Sequence, residues 1–263
     1  GEFVMSTHNQ PSTPHTEPTM APPFHVAADI ICLPSWLPVP GAGMLPVNSF
    51  LLLGKEPILV DTGLSALKDQ FLKALDSILP PEQLRWIWIS HTDADHIGNL
   101  TSVLARAPKA EVVTNFLGMG KMNMLGCAPE HFHMLEIGQS LETQDRALTA
   151  VRPLYYDAPE TMGFSDAKNK TLFAADAFGA LLSQQYMQAE DIPAVDLRTG
   201  LMQWAQIDAP WLSMLDDDKF SRAVENVKSE AHQIVLSGHL PPQQSGLADL
   251  PALVKEAQEH PHN

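Results

Sequence analysis

The stretch WIWISHTDADHIGNL, residues 86–100, decides how this chain is read. Trp86 to Ile89 form an apolar run with the look of a buried strand. The run stops at Ser90, and His91, Asp93, Asp95 and His96 follow within six positions. On a loop leaving a strand, residues 91, 93 and 95 point the same way, and residue 96 turns with the start of a helix. Two pairs then face two neighbouring ions: His91 with Asp93, and Asp95 with His96. A solvated turn whose aspartate caps the next helix explains one Asp. It is a poor account of two His and two Asp together. Gly98 is expected to let the following helix pack close to the ligand loop.

Outward from this motif the chain alternates strands and helices. ADIICLP (28–34), VNSFLLLG (47–54) and EPILVDTG (56–63) read as three strands, the last ending in the polar turn Asp61-Thr62-Gly63. SALKDQFLKALDSIL (65–79) carries Leu67, Phe71, Leu72, Leu75 and Ile78 at helical spacing, and Pro80-Pro81 stops it. LRWIWIS is the next strand, HIGNLTSVLARAP (96–108) opens a helix, and AEVVTN (110–115) is a short strand. LTAVRPLYYDAPETMGFSD (148–166) and TLFAADAFG (171–179) read as further strands with polar ends. Residues 198–230 read as helical, with Trp204 and Trp211 expected in the core. HQIVLSGHLPP (232–242) is a last apolar strand. No repeat and no break in composition marks a second domain, so the expectation is one α/β domain over 25–263. Residues 1–24 read as a flexible tail, with 1–4 an expression scar ahead of Met5.

Three apolar strands therefore end in candidate ligands: IWIS in the His-Asp motif, TLFAA in Asp176, and QIVLSG in His239. RPLYY, running into Asp157, is a fourth. Sites in α/β folds form from loops at strand ends, where distant residues converge.

Composition narrows the function. The chain has 263 residues, 44% of them hydrophobic, enough for a full core. Its net charge of −15 argues against binding a phosphate backbone, which needs a basic surface. No apolar run reaches the roughly 20 residues that span a bilayer, and the start lacks the regions of a secretory signal. Cys32 and Cys127 stand apart with no CxxC spacing, which fits buried thiols in a reduced, cytoplasmic protein. The methionine-rich segment 116–135 reads first as adaptable packing, with a pocket wall or lid as the sharper alternative. His131 and His133 within it sit beside no other candidate ligand.

These residues carry a family resemblance. SHTDADHIGNL resembles the signature of the metallo-β-lactamase superfamily, usually His-x-His-x-Asp-His followed by glycine. VNSFLLLGKEPILVDTG resembles its opening strands, LFAADAFG the segment with its metal-bridging aspartate, and VLSGH the segment with its last histidine. The likeness runs over roughly residues 27–245. It implies an αβ/βα four-layer sandwich with a dinuclear site at one edge. Within the superfamily the chain most resembles the diiron branch. Flavodiiron proteins have an acidic residue where Asp93 stands, and a His-Trp-Pro-Asp-Thr-Met stretch before an Asp-Ala-Phe-Gly segment. Here DAPETM precedes DAFG, which sets Asp157 at the histidine position. Either Asp157 is a carboxylate ligand or the site loses one, with Tyr156 and Glu160 as alternatives in a shifted register. A carboxylate there also resembles the superfamily's diiron β-hydroxylases of antibiotic biosynthesis.

The resemblance implies a first metal held by His91, Asp93, Asp157 and Asp176 and a second held by Asp95, His96, Asp176 and His239, with Asp176 bridging. Asp61 is expected to brace the ligands from behind. Two divalent ions and four carboxylates give a nearly neutral site, which favours iron over the more positive zinc hydrolase pattern; zinc or manganese remain open. Tyr155, Tyr156 and Phe178, beside these ligands, are core residues or groups around a bound diatomic. The leading function is redox: binding or reducing dioxygen or nitric oxide, or oxidising a substrate with dioxygen. A metallo-hydrolase of a lactone, thioester or phosphoester is the alternative, and a non-catalytic oxygen sensor a weaker one. The residues after His239 leave no room for a flavin domain, so electrons are expected from an external reductase. A homodimer is left open.

Overall fold

In the computed structural model, which describes residues 17–260, Trp86 and Trp88 face one apolar cluster and Ile87 and Ile89 another. A strand that feeds a core on each face must be apolar throughout, which is why the run lacks the alternation of a half-exposed strand.

The first sheet comprises β1 (Thr19–Met20), β2 (Phe24–Ala27), β3 (Ile30–Val39), β4 (Gly43–Leu52), β5 (Ile58–Val60), β6 (Trp86–Trp88), β7 (Glu111–Thr114) and β8 (Phe132–Met134). Its path runs β1-β3-β4-β5-β6-β7-β8, with β2 paired to β3. From β5 to β8 the strands are parallel. The second sheet comprises β9 (Ser140–Glu142), β10 (Ala147–Val151), β11 (Gly163–Asp166), β12 (Thr171–Phe173), β13 (Ile234–Ser237) and β14 (Leu240–Gln243), ordered β14-β13-β12-β11-β10-β9. Only β12 and β13 run parallel there.

Three apolar clusters make four layers. Between the sheets, Phe50 meets Phe173 and Trp88 meets Phe164 edge-on, at 6.0 and 5.2 Å between ring centroids. On the outer face of the first sheet, α1 (Lys68–Ile78) buries Phe71 and Leu75 against Ile31, Leu51 and Leu59. On the outer face of the second, α5 (Ala194–Asp208), α6 (Asp217–Ser229) and α7 (Leu250–Glu259) bury Leu201, Phe220 and Val254. This is the αβ/βα sandwich expected.

Three expectations need correction, and one segment without an assigned element resolves into a helix. The first two strands are longer than their apolar runs: β3 and β4 form one hairpin, in register from Ile30↔Leu52 to Val39↔Gly43. Prolines 34, 38 and 46 hid this extension. The structure accommodates Pro46 because β5 pairs only with Phe50, Leu51 and Leu52 of β4. The helix after the motif breaks into α2 (Ala94–Ile97) and α3 (Leu100–Arg106). Asn99, between them, donates to the carbonyls of Thr62 and Leu64 at 2.8 and 3.0 Å. The methionine-rich segment holds α4 (Phe116–Leu125), started by Asn115 Oδ1 accepting from the Gly118 amide and stopped by Gly126 at φ +74°. Finally, of the tail expected over 1–24, residues 1–16 lie outside the described residues. Thr19 and Met20 pair with Trp36 and Ser35, and Phe24 with Cys32.

Parallel pairing aligns the ends that matter. Val60 registers with Trp88, and Phe173 with Leu236. The Asp61 turn therefore sits beside the His-Asp motif, and the Asp176 loop beside His239.

Candidate metal centre

Seven side chains converge where these four ends meet. One group of donor atoms comprises His91, Asp93, Asp157 and Asp176; another comprises Asp95, His96 and His239; a third links His91 and His96 through Asp176. Within each group the donor atoms lie within 4.8 Å of one another. Asp176 joins the sets. Its Oδ2 is 3.1 Å from His91 Nε2, while its Oδ1 is 3.0 Å from His96 Nε2 and 3.3 Å from His239 Nε2. Asp95 Oδ2 closes the second set at 3.1 Å from His239 Nε2 and 3.3 Å from His96 Nε2. Asp93 Oδ2 and Asp157 Oδ1 face His91 Nε2 at 3.3 and 3.6 Å.

The outer nitrogens decide what the inner ones can do. His239 Nδ1 donates to the Pro46 carbonyl at 2.7 Å, since a carbonyl only accepts. His96 Nδ1 meets Asp61 Oδ2 at 2.8 Å. Ser90 gives its hydroxyl proton to Asp61 Oδ2 at 2.7 Å and accepts from His91 Nδ1 at 2.9 Å. A neutral imidazole with its proton on Nδ1 presents a lone pair at Nε2, and all three Nε2 atoms point into the cluster. His91 Nε2, His96 Nε2 and Asp176 Oδ1 are buried without a hydrogen-bond partner. Buried polar atoms left open at the meeting point of three imidazoles and four carboxylates fit a pair of cations. No thiolate joins the set, and oxygen and imidazole donors suit iron or manganese at least as well as zinc.

The electrostatics agree. Burial and His96 pull the His91 imidazole down, but Asp176 and Asp93 outweigh them and push it up to about 10. Burial works against the charge of Asp176, yet the surrounding imidazoles hold its carboxyl far below the usual range. Burial, a hydrogen bond with Asp93 and the charge of Asp176 raise Asp157 to about 7.

The backbone around the ligands is tight. Asp61, Ala175 and Phe178 adopt positive φ of 59°, 51° and 70°, which non-glycine residues rarely do. A Cβ on Gly98 would stand 2.2 Å from the Gly63 carbonyl oxygen, so only glycine brings α2 against the Asp61 turn.

Asp157 does not end a strand. β10 stops at Val151, and Asp157 hangs in a loop before β11. Arg152 closes that loop, donating from Nη1 to the Pro159 carbonyl at 2.6 Å. Glu160 is turned away from the donor set: it accepts from the Thr92 amide and hydroxyl at 3.1 and 3.0 Å and pairs with Lys121 at 2.8 Å. Tyr155 is buried, and its hydroxyl accepts from the Phe178 amide at 2.7 Å, fastening the loop after Asp176. Tyr156 lies at the rim, 6.1 Å from the Trp211 ring. His133 packs edge-on against Trp86, away from the cluster.

Sequence reasoning missed three neighbours of the site. Trp204, expected in the core, has its ring 5.8 Å from that of His239. Lys121 reaches the motif through Glu160. Asp208, at the end of α5, is raised to about 6 by burial and by the charge of Asp176. A carboxylate at a helix C-terminus opposes the helix dipole, and that was the available signal for Asp208.

Fold and cluster together define a metallo-β-lactamase-like protein with groups of candidate metal ligands. The chain belongs to the family described as ODP family beta lactamase, whose sequence model matches residues 45–234. It is 26% identical over 150 residues to a Nostoc sp. protein described as a diflavin flavoprotein, covering 57% of this chain and 26% of that one. It is 23% identical over 152 residues to the anaerobic nitric oxide reductase flavorubredoxin of Pectobacterium carotovorum, covering 57% and 30%. Among solved structures, rubredoxin oxygen:oxidoreductase from Desulfovibrio gigas superposes with a TM-score of 0.76 at 16% identity, covering 90% of this chain and 60% of that one. The matched region thus spans under a third of these two curated relatives. No helix among the described residues is long and apolar enough to cross a membrane.

Proposed function

We propose that this chain holds two metal ions, iron before zinc or manganese, and uses them to bind or reduce dioxygen or nitric oxide, or to oxidise a substrate with dioxygen. In this reading the first ion takes His91, Asp93, Asp157 and Asp176, and the second takes Asp95, His96, Asp176 and His239. The observation that carries it is the Asp176 carboxylate, whose two oxygens face separate donor sets. Four carboxylates against two divalent ions leave the site near neutrality, which weakens Lewis acidity towards water and suits a ferric pair. When bound, such a pair supplies one-electron steps at adjacent centres.

The chain's own residues do the rest. Asp61, Ser90 and the Pro46 carbonyl hold the three imidazoles with Nε2 inward. Tyr155 and Phe178, both almost fully buried, fasten the loop after Asp176 through the Tyr155 hydroxyl and the Phe178 amide. Asp157 stands at the mouth, with its side chain 23% exposed. The names of relatives that act on oxygen and nitric oxide support the redox reading, and an electron carrier of flavin or rubredoxin type is the proposed donor.

The test is metal analysis of protein grown with iron, with absorption spectra before and after dithionite and then air. Two irons per chain and a ferric band that bleaches and returns are expected. Zinc alone, no ferric band and hydrolysis of a lactone or ester would overturn the reading.

A further inference from the structure

Two cavities meet at Arg152 and Tyr156. The inner one, about 390 Å³, lies between the second sheet and α6, with Leu154, Leu172, Phe178, Ala223 and Val227 in its walls. The outer one opens over Tyr156, Asp157 and Trp211 at the mouth of the metal centre. A cavity of roughly 150 Å³ holds benzene, so the inner one has room for a ring and a short chain.

No carboxylate neutralises the charge at the junction among the described residues. Arg85, Arg106, Arg146 and Arg198 each pair with a carboxylate. Arg152, like Arg222, pairs with none among the described residues, in a chain with 31 acidic side chains. Its Nη1 is held by the carbonyls of Pro159 and Thr161 at 2.6 and 3.4 Å. The guanidinium lies 5.0 Å over the Tyr156 ring. These contacts orient an exposed group, and its Nε and Nη2 have no protein acceptor among the described residues. At the opposite wall Glu230 is engaged by His232 at 2.7 Å, and Asn226 adds an amide.

We propose that this cavity binds a small organic monoanion, with an aromatic or branched apolar body seated between the second sheet and α6 and its carboxylate on Arg152. The apolar walls favour the body, and the free edge of a planar guanidinium matches a carboxylate. The proposal stands on the cavity and on Arg152, whichever metals the centre holds.

Calorimetry on the metal-loaded full chain tests it, with 3-phenylpropionate and its neutral counterpart 3-phenylpropanol as probes. The acid is expected to bind about tenfold tighter than the alcohol or better. Arg152→Gln brings the two together, and Arg152→Lys restores part of the preference. Ala223→Trp fills the cavity and abolishes both, with metal content unchanged; Val227→Phe narrows the same wall if that variant does not fold. Three outcomes would overturn the proposal: no binding of either probe up to about 10 mM, equal binding of acid and alcohol, or acid binding that survives the filled cavity. The last would mean that the metals themselves capture the carboxylate.

Discussion

His96 Nδ1 and Asp61 Oδ2 lie 2.8 Å apart, and both side chains are 1% exposed. Asp61 also accepts from the Ser90 amide at 2.8 Å and the Ser90 hydroxyl at 2.7 Å. One buried carboxylate therefore sets the His96 tautomer and the start of the ligand loop together. Asp61→Asn keeps the shape but turns an amide donor towards one of these three donors. Metal affinity is expected to fall by about 10–100-fold, chiefly at the ion nearest His96. Chelator competition followed by metal analysis measures this, and an affinity equal to the parent's would exclude Asp61 from the support of the site.

Asp157→Ala is expected to deplete one ion and spare the other. The residue faces His91 and none of the Asp95, His96 and His239 set. Metal content should fall from two towards one per chain, with the remaining ion keeping its affinity. Unchanged content would show that the loop between β10 and β11 contributes no ligand.

Glu160 holds the motif from the other side. Its carboxylate is 1% exposed and accepts two hydrogen bonds from Thr92, between His91 and Asp93, while Lys121 supplies the opposing charge from α4. Burial alone would raise its pKa, but Lys121 and Thr92 together hold it below the usual range. That stabilisation is present above the ordinary glutamate pKa of about 4.3 and is lost as pH falls through the lowered folded value. Glu160→Ala is expected to cost about 2 kcal/mol at neutral pH in urea unfolding, with a smaller difference near pH 3. A loss that did not shrink in acid would assign the effect to packing.

Residue by residue, the sequence was legible where candidate ligands are adjacent or follow a parallel strand. His91 to His96 sit in one loop, and Asp176 and His239 follow β12 and β13 directly. Apolar run, polar stop and ligand are contiguous in each case. Asp157 was read as ending a fourth strand and was set at a ligand position only by resemblance, because its loop is shaped by Arg152 and by carbonyls that no periodicity reveals. The link from Lys121 to Glu160 spans 39 positions, and nothing local in either segment encodes it. The β3–β4 hairpin was underread because proline lowers strand expectation whether or not a partner needs its N–H. The methionine-rich segment hid α4 because that helix is apolar on its exposed face too: Phe116 and Met124 are 70% and 81% exposed. Such a helix has no amphipathic pattern to read.

Metal binding should depend steeply on pH, and the sign follows from the imidazoles. Without metal, the carboxylates push His91 up to about 10 and raise His96 and His239 well above the ordinary histidine value, in each case against the opposing effect of burial. At neutral pH these groups carry protons on the nitrogens that must become donors. Asp157, raised to about 7 by burial, Asp93 and Asp176, holds a further proton below that pH. Each ion therefore displaces protons, and its apparent affinity rises with pH. The slope is about tenfold per pH unit for every proton released, and it lessens by one proton's worth above about 10, where His91 is already neutral. Titrating chelator-stripped protein with ferrous ion between pH 6 and 9, in buffers of different ionisation enthalpy, counts the protons directly. An affinity that stayed level across this range, with no buffer-dependent heat, would show that the three Nε2 atoms are not the donors.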